Sequence, residues 1–146
     1  MNPHVFATVR FSRAFNPAVQ RSITEFMGEV SSKLQLAVYA SVEQKGFDTQ
    51  TQGIQSHSHF VALDVVGSRK YNQLEALTKR MFPNANIQLE RVNAFRAKHL
   101  ITSFLRHMNK KGRSPEEKET TRKWREFHDI PPSFRTNDVL NKIKDL

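Results

Sequence analysis

Residues 36–66 read LAVYASVEQKGFDTQTQGIQSHSHFVALDVV, and this stretch decides the fold. Both of its ends are rich in Val, Ala and aromatic residues, a composition typical of β-strands. Between them lies the polar run GFDTQTQG at residues 46–53, which predicts a connecting loop. We therefore expect one strand over Leu36–Glu43 and another over Gln55–Val66. If they pair through the loop, the two strands form an antiparallel hairpin.

Alternating strands and helices are predicted on both sides of this hairpin. Apolar residues spaced by three and four predict helices over Pro17–Leu34, Tyr71–Met81 and Arg96–Met108. Alternating patterns predict two further strands, over His4–Phe11 and Ile87–Val92. The order β-α-β-β-α-β-α is that of a ferredoxin-like, split βαβ fold. We expect an α+β domain with an antiparallel sheet of about five strands and flanking helices on one face.

The composition excludes several classes of protein. The 146 residues are 38% hydrophobic, which is enough for one hydrophobic core. The chain has no cysteine, so disulfides, thiolate metal sites and cysteine nucleophiles are excluded. No run approaches 18 apolar residues and no secretory signal is evident, so no membrane partner is predicted. The P-loop motif GxxxxGK[ST] is also absent from the sequence.

Positive charge is concentrated in one part of the chain. The formal net charge is +9, and residues 96–125 contain ten basic residues against three acidic ones. Nucleic acid is the commonest partner for such a concentration of charge. A solvated basic helix is the alternative interpretation of this segment.

Two histidines in the second strand of the hairpin are candidate metal ligands. His57 and His59 are two residues apart, so their side chains share one face of a strand. Glu43, at the end of the preceding strand, can lie beside them if the hairpin forms. Two imidazoles and one carboxylate suit Mn²⁺ or Mg²⁺ acting on a phosphate, or a transition metal. An HxH pattern alone is more often an exposed polar face, so Glu43 is what favours a metal site.

At this point the sequence resembles a known family. The segments that carry the resemblance are FATVRF at 6–11, Glu43, HSHFVAL at 57–63, SRK at 68–70, MFPNA at 81–85 and IQLER at 87–91. In order and spacing they are similar to the HUH endonuclease domain of rolling-circle replication initiators. They are most similar to the Rep proteins of small circular single-stranded DNA viruses of the nanovirus, circovirus and geminivirus type. The resemblance covers about residues 4–112.

The resemblance implies a function and a set of partners. It implies nicking and joining of single-stranded or hairpin origin DNA through a 5′-phosphotyrosine intermediate, with Mn²⁺ or Mg²⁺ held by Glu43, His57 and His59. It implies a nicking domain over 1–114 and a charged helical extension or linker over 115–146. The helicase domain that usually follows in this family is not part of this sequence, and oligomers would form through that domain. The expected compartment is the host nucleus or cytoplasm. DNA contacts are expected from Arg10, Arg13, Arg69, Lys70, Lys98, Arg106, Lys110 and Lys111.

The nucleophile position departs from the family's pattern, Tyr-x-x-Lys. In the corresponding helix, ITSFLRH at 101–107, Phe104 occupies the tyrosine position and His107 the lysine position. Ser58 also departs, since the family usually has a hydrophobic residue there. Phenylalanine has no hydroxyl, so Phe104 cannot attack phosphorus. Three explanations stay open: an engineered Tyr-to-Phe change, a natural loss of nicking, and a nucleophile elsewhere in the chain.

Two other functions are compatible with the same predicted fold. One is a non-catalytic domain that binds origin DNA, which a loss of metal binding would favour. The other is an RNA-binding protein with a ferredoxin-like sheet. The RNA-binding alternative leaves Glu43, His57 and His59 unexplained, and the stacking aromatics typical of such sheets are not evident in the sequence.

Overall fold

A computed structural model of the protein describes residues 2–11, 17–45, 55–105 and 133–146, together with positions 115, 119, 122, 123 and 126. The description leaves out the side chains of residues 17–19, 43–45, 55–56 and 103–105. The elements are β1 (His4–Arg10), α1 (Pro17–Ser32), β2 (Ala37–Lys45), β3 (Gln55–Leu63), α2 (Gly67–Met81), β4 (Asn86–Val92), α3 (Ala94–His99), a π-helical segment (Leu100–Leu105), β5 (Phe134–Arg135) and α4 (Val139–Lys144). Within the described ranges, no helix is long and apolar enough to span a membrane.

The five strands form one antiparallel sheet in the order β4-β1-β3-β2-β5. β2 and β3 are the predicted hairpin, with Ala37 opposite Leu63 at one end and Lys45 opposite Gln55 at the other. β1 lies between β4 and β3, and β3 lies between β1 and β2, so both are central strands. The predicted α+β fold, with an antiparallel sheet of about five strands and flanking helices, is confirmed.

The first face of the sheet is covered by α1 and α2. Alternate residues of β1, β2 and β3 point into this core, which is why these strands show the apolar periodicity of two. Phe26 of α1 fills its centre, with its ring centroid 5.2 Å from that of Phe60 and 5.5 Å from that of Phe82. Pro17 is the first residue of α1, where its fixed φ and missing N–H are tolerated best.

The second face is covered in part by α3, the π-helical segment and α4. Ala97, Leu100 and Ile101 are buried there against Tyr39 and Val61. The sequence predicted helices on one face only, and the structure has them on both. The apolar stripe of the predicted third helix needs a partner surface, and α1 and α2 already occupy the first face.

The last part of the chain completes the edge of the sheet beside β2. Thr136 ties it there, because its N–H donates to the carbonyl of Val38 and its hydroxyl accepts from the N–H of Val38, both at 3.0 Å. Phe134 is buried in the first core, whereas Val139 and Ile143 are buried in the second. Residues 133–146 therefore contribute apolar side chains to both sides of the sheet.

Candidate functional site

The strand register arranges the second face in rungs, meaning rows of residues that lie side by side across the sheet. The rungs nearest Val92 contain the buried residues Ala37, Tyr39 and Val61, and the helices of the second face cover them. The next two rungs are polar. They consist of Gln88, Thr8, His59 and Ser41, followed by Asn86, Arg10, His57 and Glu43. We call these eight residues the polar rungs.

His57 and His59 lie side by side within the polar rungs. Their ring centroids are 4.8 Å apart and their ring planes meet at 86°. Two imidazoles that bind one metal through nitrogens at about 2.1 Å bring their ring centroids to roughly 5 Å from each other. The spacing of the two rings therefore fits a shared divalent ion. Both histidines are half-buried.

Glu43 is the neighbour of His57 on the adjacent strand. The β2–β3 register pairs the two residues directly. Cβ atoms of directly opposite residues in an antiparallel pair are about 5 Å apart, so the register places position 43 close to His57. Among the described side chains, no group of three His, Asp or Glu residues could hold a metal. A third ligand beside the two histidines would therefore come from a residue outside that set, and position 43 is the predicted one.

The imidazole of His59 is held from two sides. Its Nδ1 lies 3.1 Å from Oγ1 of Thr8, the directly opposite residue on β1. Its ring stacks on Phe6, with ring centroids 5.3 Å apart and planes within 5° of parallel. A hydrogen bond and a stacking contact together restrict the rotation of the imidazole.

Position 104 belongs to the π-helical segment on the same face of the sheet. The preceding residues Leu100 and Ile101 are buried in the second core, whereas the side chain of Phe104 lies outside the described part of the structure. The chain contains only two tyrosines. Tyr39 is 5% exposed within the second core, and Tyr71 belongs to α2 on the other side of the sheet. Neither phenol is available to a phosphate at the two histidines.

The predicted DNA-contacting residues fall into three groups. Arg10 is exposed in the polar rungs opposite His57, and Lys98 is exposed on α3. Arg69 and Lys70 belong to α2, so they lie on the other side of the sheet from His57; Nζ of Lys70 donates to the carbonyl of Leu34 at 2.7 Å. The remaining predicted DNA contacts are outside the described part of the chain: Arg13, Arg106, Lys110 and Lys111. His107, predicted at the lysine position of the catalytic motif, is outside it as well.

Sequence analysis missed four neutral polar residues of the site, namely Thr8, Ser41, Asn86 and Gln88. Thr8 has the same strand parity as Arg10, and the register joins it to His59. Asn86 and Gln88 are exposed on β4 beside Arg10 and Thr8. The period of two marks which residues share a face, but only the register between distant strands shows which of them are neighbours.

Comparisons with known proteins add little to this description. No family model matches the chain, and no curated protein matches it. Two designed proteins are among the solved structures that resemble it. De novo designed protein Ferredog-Diesel is 13% identical with a TM-score of 0.42, and the match covers 62% of this chain and 87% of that one. De novo designed protein Foldit4 is 18% identical with a TM-score of 0.40, over 62% and 94% of the two chains.

Proposed function

We propose that the chain is an HUH-type endonuclease domain. With a bound metal, a domain of this type nicks and joins single-stranded origin DNA at a specific sequence. One observation carries the proposal: the rings of His57 and His59 lie 4.8 Å apart beside the backbone position of Glu43. The π-helical segment that contains position 104 lies on the same face of the sheet. Metal ligands and nucleophile position on one face are what an attack on a bound phosphate requires.

The residues of the polar rungs have distinct roles in this proposal. Glu43, His57 and His59 would hold Mn²⁺ or Mg²⁺. A bound ion would supply Lewis-acid stabilisation of the negative charge on the scissile phosphate. Arg10, beside His57, attracts the negative phosphate and helps to orient it. A tyrosine hydroxyl at position 104 would lose its proton and form a bond to phosphorus. The bond between phosphorus and the 3′-oxygen would break, and the departing 3′-oxygen would take up a proton to give a free 3′-OH.

The chain as it stands lacks that hydroxyl, because Phe104 occupies the position. A non-catalytic domain that binds origin DNA is therefore the second candidate function. The positions of Tyr39 and Tyr71 favour it, since neither can replace the missing nucleophile. The two candidate functions share the DNA surface. They differ in whether a tyrosine at position 104 restores cleavage, and a loss of metal binding would favour the second.

A covalent-adduct assay distinguishes the two functions. Single-stranded DNAs that bind the unmodified protein in Mn²⁺ are first selected from a random pool, so that a suitable sequence is present. The selected DNA is labelled and incubated with Phe104→Tyr, with and without Mn²⁺, and adducts are resolved on denaturing gels. Phe95→Tyr is the matched control, because Phe95 is 84% exposed on α3 and lies outside the polar rungs.

Each outcome of the assay decides between named alternatives. A Mn²⁺-dependent adduct in Phe104→Tyr, absent from Phe95→Tyr and lost when His57→Ala and His59→Ala are added, supports the nicking function. Mn²⁺-dependent DNA binding without any adduct favours the binding module. If Mn²⁺ alters neither DNA binding nor the melting temperature of the unmodified protein, the metal-dependent proposal is wrong, because a ligand of the folded state must stabilise it.

A further inference from the structure

Thr8 is the direct partner of one of the two histidines. It sits on central strand β1, it is 8% exposed, and its Oγ1 lies 3.1 Å from Nδ1 of His59. Threonine is β-branched, so a buried threonine on a strand has few side-chain conformations available. The oxygen of Thr8 is therefore held in place before any ligand arrives.

An imidazole has two ring nitrogens, and Thr8 engages one of them. A histidine that binds a metal through one nitrogen almost always donates the proton on the other nitrogen to an oxygen acceptor. A threonine hydroxyl can serve as that acceptor, because it has two lone pairs as well as its own proton. In His59 the nitrogen next to Thr8 is Nδ1, so Nε2 is the nitrogen that can face a metal.

We propose that Thr8 is a positioning residue for the metal site, whose hydroxyl accepts the Nδ1 proton of His59 while Nε2 of His59 binds the divalent ion. This inference rests on the metal site of the proposed function. Stacking on Phe6 fixes the plane of the imidazole, and the hydrogen bond from Nδ1 fixes its rotation within that plane. Together the two contacts hold Nε2 in one orientation before the ion binds, which lowers the entropic cost of ordering His59 as a metal ligand.

Three variants separate this role from a general effect on folding. Thr8→Val removes the oxygen but keeps the branched shape, whereas Thr8→Ser keeps the oxygen. Thr78→Val is the control for the loss of a buried threonine hydroxyl. Thr78 is fully buried beneath the other face of the sheet, and its hydroxyl donates to the carbonyl of Leu74 at 2.6 Å.

The first measurement is the affinity of the full chain for Mn²⁺ without DNA. The electron paramagnetic resonance signal of free Mn²⁺ reports how much of the ion is bound. We expect Thr8→Val to weaken Mn²⁺ binding by about tenfold or more, the range typical of lost partners of metal ligands. Thr8→Ser and Thr78→Val should bind within about threefold of the unmodified protein. Equal affinity in Thr8→Val and the unmodified protein would overturn the inference and leave the DNA function untouched.

The second measurement is a spectroscopic signature that a purely structural role would not produce. In protein labelled with ¹⁵N-histidine and loaded with Zn²⁺, NMR should show a protonated Nδ1 and a metal-bound Nε2 for His59, assigned by comparison with His59→Asn. The Nδ1 proton should exchange slowly with solvent in the unmodified protein and rapidly in Thr8→Val. A metal bound through Nδ1 of His59 would contradict the inference even if DNA binding and nicking were fully metal-dependent.

Discussion

At the scale of single residues, His4 is a polar side chain enclosed by the fold. It is 2% exposed, and its Nδ1 accepts a hydrogen bond from the N–H of Asp64 at 3.0 Å. Asp64 has a positive φ of 56°, so this hydrogen bond holds a turn that few residues adopt readily. Burial lowers the pKa of His4, and the nearby carboxylate of Asp64 opposes this to a smaller extent. The folded protein thus favours the neutral imidazole.

The neutral state of His4 predicts a loss of stability in mild acid. Its folded pKa lies below the unfolded value of about 6.5, so the unfolded chain takes up the proton first as the pH falls. The contribution of His4 to the free energy of unfolding is complete above that pH and decreases between the unfolded and the folded pKa. Urea denaturation at pH 7.5 and pH 5.5 measures the decrease. His4→Gln, which keeps an acceptor for Asp64, should lose less stability between the two pH values, and an equal loss would contradict the prediction.

Arg91 is a second residue whose contacts are more extensive than its position on an edge strand suggests. Its guanidinium donates to the carbonyls of Val65 at 2.9 Å and Gly67 at 3.0 Å, and it lies 4.8 Å above the ring centroid of Tyr71. Gly67 has a φ of +85°, a conformation that a side chain would strain. Arg91 therefore holds the chain where β3 leads into α2.

Replacing Arg91 should cost more stability than replacing an exposed arginine. We expect Arg91→Lys to lower the free energy of unfolding by about 1–3 kcal/mol, because an ammonium cannot reproduce the forked hydrogen bonds and the stacking. Arg80→Lys is the control, since Arg80 forms an exposed ion pair with Glu29 at 2.6 Å. Such pairs contribute about 0–1 kcal/mol. Urea denaturation of both variants measures the difference, and equal losses would refute the bracing role of Arg91.

At the scale of elements, α4 is short but has a buried side and an exposed side. Ile143 is 8% exposed in the second core, whereas Leu140 is 42% exposed on the same helix. We expect Ile143→Ala to lower the free energy of unfolding by about 2–4 kcal/mol, since it leaves a cavity. Leu140→Ala should cost less than about 1 kcal/mol. Thermal and urea denaturation test both values, and a small effect of Ile143→Ala would mean that α4 does not stabilise the sheet.

The elements that the sequence predicts well are those with long apolar patterns. The hairpin of β2 and β3 could be predicted because its two strands are long and the polar loop between them is distinct. β5 could not, because Phe134–Arg135 is too short to show a periodicity and depends on its pairing with Tyr39 and Ala40. The π-helical segment was predicted as ordinary helix, since its six residues are too few to show a period different from that of the α-helix before it.

At the scale of the whole molecule, the sheet separates two surfaces with different chemistry. The first face is covered by α1 and α2, and the described helices of the second face lie over its apolar rungs. Under the proposed function, DNA would reach His57 and His59 from the second face. Cations on that face should contribute to DNA binding, and cations on the outer side of α1 should not.

The salt dependence of DNA binding tests this separation. Each phosphate contact to single-stranded DNA adds about −0.7 to the slope of log affinity against log salt concentration. Arg10→Gln should make the slope shallower by about that amount, because Arg10 lies in the polar rungs. Arg21→Gln should leave the slope unchanged, because Arg21 is exposed on α1. Fluorescence anisotropy at several salt concentrations measures both slopes, and equal changes in the two variants would contradict the separation.

The candidate site was only partly predictable from the sequence, because some of its residues meet only through the pairing of distant strands. The spacing of His57 and His59, and the hairpin that carries Glu43, are local features of the sequence. Thr8 and Arg10 reach the site through the pairing of β1 with β3, which joins residues about fifty positions apart. That pairing follows from the packing of the whole sheet, so no short motif contains it.

The π-helical segment Leu100–Leu105 has a consequence for how such a domain can diverge. A π-turn closes over five residues where an α-turn closes over four, so the segment accommodates one more residue than an ordinary helix of the same length. Loss of a single codon there would let the segment close into ordinary α-helical turns and would shift its residues by one place along the helix, while Ala97 and its packing stayed in place. A one-residue deletion or insertion in this segment would therefore move a neighbouring side chain into the place that residue 104 now has on the helix.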